Sequence, residues 1–181
     1  AASLLLDNLS NGTMLTQTVH LAAGVVFCDA VEACSLEWAL GGDAPWQYQT
    51  DVTQDGIDAL ASGAIGPNQE SWLQTAATGP GTLSFWWRVS SETGWDHLEF
   101  WIDGVLTNRI SGSVGWQPQT FTVPAGARTF RWRYMKDGSG DAGSDRGWLD
   151  AVAWSPASTA MGVPVAWYQR FGLAPGASET Y

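Results

Sequence analysis

The sequence predicts an all-β fold, an antiparallel two-sheet β-sandwich of jelly-roll type, on three observations. Apolar residues recur at every second position through several short segments. Turn-forming residues, drawn from 21 Gly and 8 Pro, separate those segments. Helical periodicity is weak throughout, and many short strands with almost no helix fit two packed antiparallel sheets. A length of 181 residues suits a single hydrophobic core.

The elements follow in order. Segment 18–27 is rich in β-branched and apolar residues and reads as a strand. Segment 36–40 reads as another, entering a turn at Gly41-Gly42-Asp43, and Trp46-Gln-Tyr-Gln-Thr50 follows as a third. Segment 81–90 alternates, with Leu83, Phe85, Trp87 and Val89 on one face and Ser84, Trp86, Arg88 and Ser90 on the other. After a loop at 90–95, Leu98, Phe100 and Ile102 oppose His97, Glu99, Trp101 and Asp103 until Asp103-Gly104 turns the chain. Segments 81–90 and 97–103 therefore read as a hairpin. A strand at 116–123 is expected to end at Pro124-Ala-Gly126, and in 128–135 Phe130, Trp132 and Tyr134 take the face opposite Thr129, Arg131, Arg133 and Met135. The last strand, 148–154, follows a glycine-rich acidic loop. Residues 1–17 read as an N-terminal extension or edge strand, 18–155 as the sandwich, and 156–181 as a linker with a short helical turn at 165–171.

Composition excludes several functions. Eight Lys and Arg against 18 Asp and Glu give a net charge of −10, which opposes broad docking onto nucleic-acid phosphates. Only 14% of residues are charged and 45% are hydrophobic, which argues against intrinsic disorder. No apolar run approaches the roughly 18 to 20 residues that span a bilayer. Cys28 and Cys34 flank a five-residue acidic segment and are either a local disulfide or two thiols. Few lysines, many Gly and Trp, and that cysteine pair favour an extracellular setting.

Several motifs follow one another in order: Asp55-Gly56, Gln69-Glu-Ser-Trp-Leu73, Gly79-Pro-Gly81, Leu83-Ser-Phe-Trp-Trp87, Ser90-Ser-Glu92, Ile102-Asp-Gly104, Lys136-Asp-Gly-Ser139 and Gly147-Trp-Leu-Asp150. The series resembles a bacterial extracellular module with a MAM-like, concanavalin-A-like jelly roll, over residues 31–154. The resemblance implies a non-catalytic part of a larger secreted or surface protein, beside polysaccharide-active or adhesive domains. The segment Val163-Pro-Val-Ala-Trp-Tyr-Gln-Arg-Phe-Gly-Leu173 resembles a connector to a neighbouring domain. Likeness to metal-stabilised jelly rolls also makes Glu32 and Asp150 candidates for one structural Ca²⁺.

Chemistry concentrates in twelve Trp. Trp86, Arg88, His97, Glu99, Trp101, Arg131 and Arg133 fall on the polar phase of their strands, and on one shared sheet they form an aromatic patch flanked by hydrogen-bonding groups. Sugars suit such a patch: C–H faces stack on indoles while hydroxyls meet charged side chains. Trp95, in a loop between Gly94 and Asp96, joins the candidates ahead of Trp116, and Trp132, Trp148 and Trp154 are assigned to the interior. The competing reading is a cross-strand charge ladder with packed indoles. Glu92, Asp96 and Glu99 supply carboxylates, but a local loop role explains the first two, and neither His20 nor His97 accompanies a nucleophile motif. The expected function is non-catalytic binding of a polysaccharide or oligosaccharide. The alternative is a structural or adhesive repeat that contacts other proteins.

Overall fold

The computed structural model describes residues 4–7, 14–17, 24–158 and 163–172. The elements are β1 (Leu4–Asp7), β2 (Met14–Gln17), α1 (Gly24–Asp29), β3 (Trp38–Gly42), β4 (Gln47–Gln49), β5 (Ala59–Ala61), β6 (Glu70–Ser90), β7 (His97–Ile102), β8 (Val105–Ile110), β9 (Ser113–Met135), β10 (Arg146–Pro156) and α2 (Val165–Arg170). Every strand pairing is antiparallel. Strands β1 and β2 pair separately from the rest.

Strands β6 and β9 run through both layers of an antiparallel β-sandwich. They pair along almost their whole length, and their register shifts between Gly79 and Gly81, where Gly79 faces Gly126. The 70–78 half of β6 and the 127–135 half of β9 join β3, β7 and β8 in a first sheet. Their other halves join β10, β5 and β4 in a second. Glycine permits the bend sterically. A Cβ on Gly81 would lie 2.6 Å from the Trp154 ring, and one on Gly79 would meet the Pro124 carbonyl.

The layers meet through aromatic rings. Phe85 of the second sheet touches Phe100 and Trp132 of the first, at 4.8 and 5.1 Å between centroids, and Phe121 touches Phe100 at 4.8 Å. Phe85, Phe100, Phe130, Trp87 and Trp132 are each at most 1% exposed. The inward phases expected for 81–90 and 128–135 are therefore the buried ones, while in 97–102 Leu98 and Phe100 are buried, Ile102 is half-buried and the outward Glu99 is buried as well.

Five local expectations are corrected. Residues 24–27 of the expected first strand are helical, while 18–23 lie outside the described residues. Here β-branched propensity yields to docking: Phe27 packs edge-on against Trp38 and the turn after α1 buries Ala30 and Val31. Gly41 and Gly42 extend β3 instead of turning, and Pro124-Ala-Gly126 lies within β9 because both long strands bend there together. Segments 81–90 and 97–103 do not pair as a hairpin. The chain crosses between sheets after β6, and β7 makes its hairpin with β8 across Asp103 and Gly104. Trp148 is buried, but Arg88 covers its ring at 5.5 Å on the outer side of the second sheet, apart from the central core.

Cys28 and Cys34 form a disulfide. They cluster with Asp29, but sulfurs bonded to each other offer no thiolate to a metal. In the expected linker, 159–162 and 173–181 lie outside the described residues, and α2 occupies the expected helical turn.

Replacing Trp132 by Ala removes the ring on which Phe85 and Phe100 converge. The change is expected to lower the free energy of unfolding by about 3–5 kcal/mol. A denaturant titration with an unchanged slope measures it; a loss below about 1 kcal/mol would show that the interlayer cluster does not hold the sheets together.

Candidate functional site

The outer face of the first sheet is built by side chains that alternate with the core. On β7 these are His97, Glu99 and Trp101. Glu99 stands opposite Arg133 and Trp101 opposite Arg131 on β9. On the other flank of β9, Trp72 faces Arg133 and Gln74 faces Arg131. Gly41 of β3 lies beside Trp72, and a Cβ there would fall within the indole ring, so glycine makes room for it.

Two arginines organise this face. Arg133 donates from Nε and Nη2 to Glu99 Oε2 at 2.9 and 2.8 Å, and from Nη1 to Glu70 Oε2 at 2.9 Å. Trp101 Nε1 donates to the same Glu99 oxygen at 3.0 Å, with the Arg133 guanidinium 5.0 Å from its ring. Burial works against the Arg133 charge, but the Glu99 and Glu70 bonds outweigh it and hold its pKa above the ordinary arginine value. Arg131 is held differently. Its Nε donates to Gln74 Oε1 at 2.9 Å and its guanidinium lies 4.4 Å over the Trp72 ring, a cation–π geometry. Between them opens a cleft of about 370 Å³ bounded by Gln74, Trp101, Gly104, Thr129, Arg131 and Arg133.

The eight residues expected to form one surface divide between two. Glu99, Trp101, Arg131 and Arg133 share the face just described. His97 lies at the start of β7, with Nδ1 2.9 Å from the Trp95 carbonyl oxygen, and Trp95 is 60% exposed in the preceding loop. Trp86 and Arg88 belong to the opposite side, where they pair with Asp150 and Trp148. Their alternation is in phase with the others, but they lie beyond the bend in β6, so the same phase points away from the first sheet. Glu70, Trp72 and Gln74 were missed, although their alternation with Ser71, Leu73 and Thr75 signals the strand.

Packing absorbs the twelve indoles unequally. Trp46, Trp87, Trp132 and Trp148 are buried, only Trp95 and Trp167 are largely exposed, and the other six are half-buried.

A second charged cluster closes one end of the sandwich. Lys136, 2% exposed, donates to Asp141 Oδ1 at 2.5 Å and Asp145 Oδ2 at 2.6 Å, and lies 3.7 Å from the fully buried Asp96. Desolvation opposes the ammonium, but the two aspartate bonds prevail and raise its pKa. Asp96 also accepts the Asp137 N–H at 3.0 Å, which ties the acidic loop to the start of β7.

The third cluster surrounds Glu32 and Asp150. Asp150 is fully buried; its Oδ2 accepts the Gln54 N–H at 2.7 Å, and its Oδ1 has no hydrogen-bond partner among the described residues. Desolvation, with smaller repulsions from Asp150, Asp55 and Asp58, pushes Glu32 up to about 7. Glu32 and Ala151 both adopt left-handed backbone, with φ of 53° and 50°, a conformation that costs non-glycine residues about 1–3 kcal/mol. A cleft of about 390 Å³ adjoins them, bounded in part by Glu32, Asp55 and Ala151. A buried carboxylate oxygen without a hydrogen bond, near other acidic groups that repel one another, is of the chemical type that a hard cation takes.

No family model and no curated protein matches the chain. Among solved structures it is similar to the secreted serine protease VesC from Vibrio cholerae, with a TM-score of 0.57 and 18% identity, over 75% of this chain and 27% of that one. It is also similar to the K1 cleaved adhesin domain of Lys-gingipain from Porphyromonas gingivalis W83 (TM-score 0.49, 18% identity, 69% of this chain and 92% of that one). A third is CBM51 from Clostridium perfringens GH95, in complex with methyl-galactose (TM-score 0.39, 16% identity, 67% of this chain and 96% of that one). The likeness to the protease is one of fold alone, and the chain spans about a quarter of the protease.

Replacing Lys136 by Met leaves Asp96 buried without its cation and is expected to lower the melting temperature at pH 7 by on the order of 10 °C. The Lys136 hydrogen bond depresses the Asp141 pKa, so this pair's contribution is present above the ordinary aspartate range and fades as pH falls through and below it. Melting curves of both proteins from pH 7 down to pH 3 should therefore converge. A constant gap would show that charge is not what Lys136 supplies.

Proposed function

We propose that the chain is a non-catalytic carbohydrate-binding module of a larger extracellular bacterial protein, and that it contacts an oligosaccharide on the outer face of the first sheet. One observation carries the reading: the cleft beside Trp101 brings an indole together with the Gln74 amide, the Thr129 hydroxyl and the Arg131 guanidinium. An open platform with one aromatic surface and several hydrogen-bonding groups suits a sugar ring, whose apolar face stacks while its hydroxyls are bonded. Glu99 and Glu70 support binding over catalysis, because both are engaged by Arg133 and Glu99 also holds the Trp101 indole. Among the described residues no helix is long and apolar enough to cross a membrane.

The structural or adhesive alternative is favoured by the small number of open indoles. A glycan panel distinguishes the two. Trp101→Ala is expected to abolish retention on the glycans that hold the native chain while preserving its circular dichroism spectrum. Failure of the native chain to bind any glycan would leave the scaffold role.

A structural Ca²⁺ belongs to the same reading. The buried Asp150 oxygen without a hydrogen bond supports it, and Glu32 and Asp55, which border the adjoining cleft, would be the further carboxylate donors. A bound ion would neutralise the repulsion between these carboxylates, beside the point where Val152 N–H donates to the Val31 carbonyl at 2.9 Å. Calcium at 100 times its dissociation constant is expected to stabilise the fold by about 2.7 kcal/mol. Asp150→Asn should remove most of that response, measured as a melting shift between calcium and chelator. Identical melting of the native chain in both solutions would overturn the assignment.

A further inference from the structure

We propose that the Trp101 cleft takes an acidic sugar, with the Arg131 guanidinium gripping a uronate carboxylate through its two Nη groups. This deepens the carbohydrate-binding reading and rests on it. The first support is the unequal use of the two arginines. Arg133 spends all three of its nitrogens on Glu99 and Glu70. Arg131 spends only Nε, on the neutral Gln74, and forms no ion pair among the described residues.

The second support is that Arg131 is already set in place. The Trp72 ring beneath it and the Gln74 amide beside it hold the guanidinium plane, so little side-chain freedom remains to be lost on binding. Two parallel N–H groups match the two oxygens of a carboxylate, whereas a sugar hydroxyl uses only one of them.

Charge is the third support. The face carries Arg109, Arg131 and Arg133 against Glu70, Glu99 and Asp103, in a chain whose net charge is −10. Arg133 pairs with both glutamates and Arg128, at the edge, pairs with Asp103, so among the described residues the guanidinium groups on this face without an ion pair are Arg109 and Arg131, and only Arg131 borders the cleft. The other arginine stacked on an indole with no ion pair, Arg88 over Trp148, lies on the opposite face, away from this cleft.

The test uses isothermal titration calorimetry of the whole chain with a galacturonate trisaccharide, its methyl ester and a sulfated galactan oligosaccharide. The acid is expected to bind at least about tenfold more tightly than the ester, because esterification removes the charge and one acceptor of the fork. In Arg131→Gln the acid and ester affinities should become equal. The methyl-ester comparison is made within the native protein and remains decisive even where a variant fails to fold. Equal affinity of the native chain for acid and ester, with both lost in Trp101→Ala, would overturn the acidic preference while leaving carbohydrate binding intact. Binding of the sulfated oligosaccharide alone would overturn the carboxylate assignment. Binding of none of these sugars, with retention on a neutral glycan in the panel, would also overturn the acidic preference, whereas no binding to any glycan would remove the underlying reading as well.

Discussion

The joint bend of β6 and β9 is the constraint from which the rest of the molecule follows. Two strands of 21 and 23 residues pair along nearly their whole length, yet they supply two layers whose aromatic faces must meet. Glycine at 79 and 81 on one strand and at 126 on the other lets the pair turn without losing its ladder. Leu73 and Leu83 can then both be interior, on opposite walls of one core. The outward residues before and after the bend consequently look in opposite directions.

On the first of those outer faces, arginine and tryptophan are layered in a way that sorts structural from available groups. Arg133 is a bracket: three hydrogen bonds to two glutamates lock it, and one of those glutamates holds the Trp101 indole. Arg131 is braced from below and from one side only. The same residue type, two positions apart on one strand, thus fixes the platform in one case and leaves donors open in the other. Gly41, by yielding space to Trp72, lets the platform extend across β6 to β3.

Fold class was legible because period-two alternation is a local property, and Leu83 to Val89 and Phe130 to Tyr134 display it without reference to the rest of the chain. Strand partnership was not legible. Nothing local in Ser90 or His97 states that the intervening loop crosses between layers, so a neighbouring pair read as a hairpin. The candidate surface suffered from the same gap. Trp86 and Trp101 have the same alternation signature, and only the bend at 79–81 separates their faces. Helix α1 illustrates another limit, since Val25 and Val26 favour strands while the contacts of Phe27, Ala30 and Val31 favour the observed turn of helix. The role of Lys136 was hidden because, although Asp141 and Asp145 follow it within nine residues, the buried Asp96 comes from a segment that meets it only in the folded chain.

Lys136 is the sole lysine of the sequence, and its ammonium is sealed by Asp141 and Asp145. The folded surface described above therefore presents no lysine amine to acylating dyes, aldehyde fixatives or carbodiimide-activated supports. Endoproteinases that cut after lysine have one target bond in the whole chain, and it is shielded while the acidic loop stays closed. Cleavage there would report opening of that end of the sandwich independently of whether the aromatic core has melted.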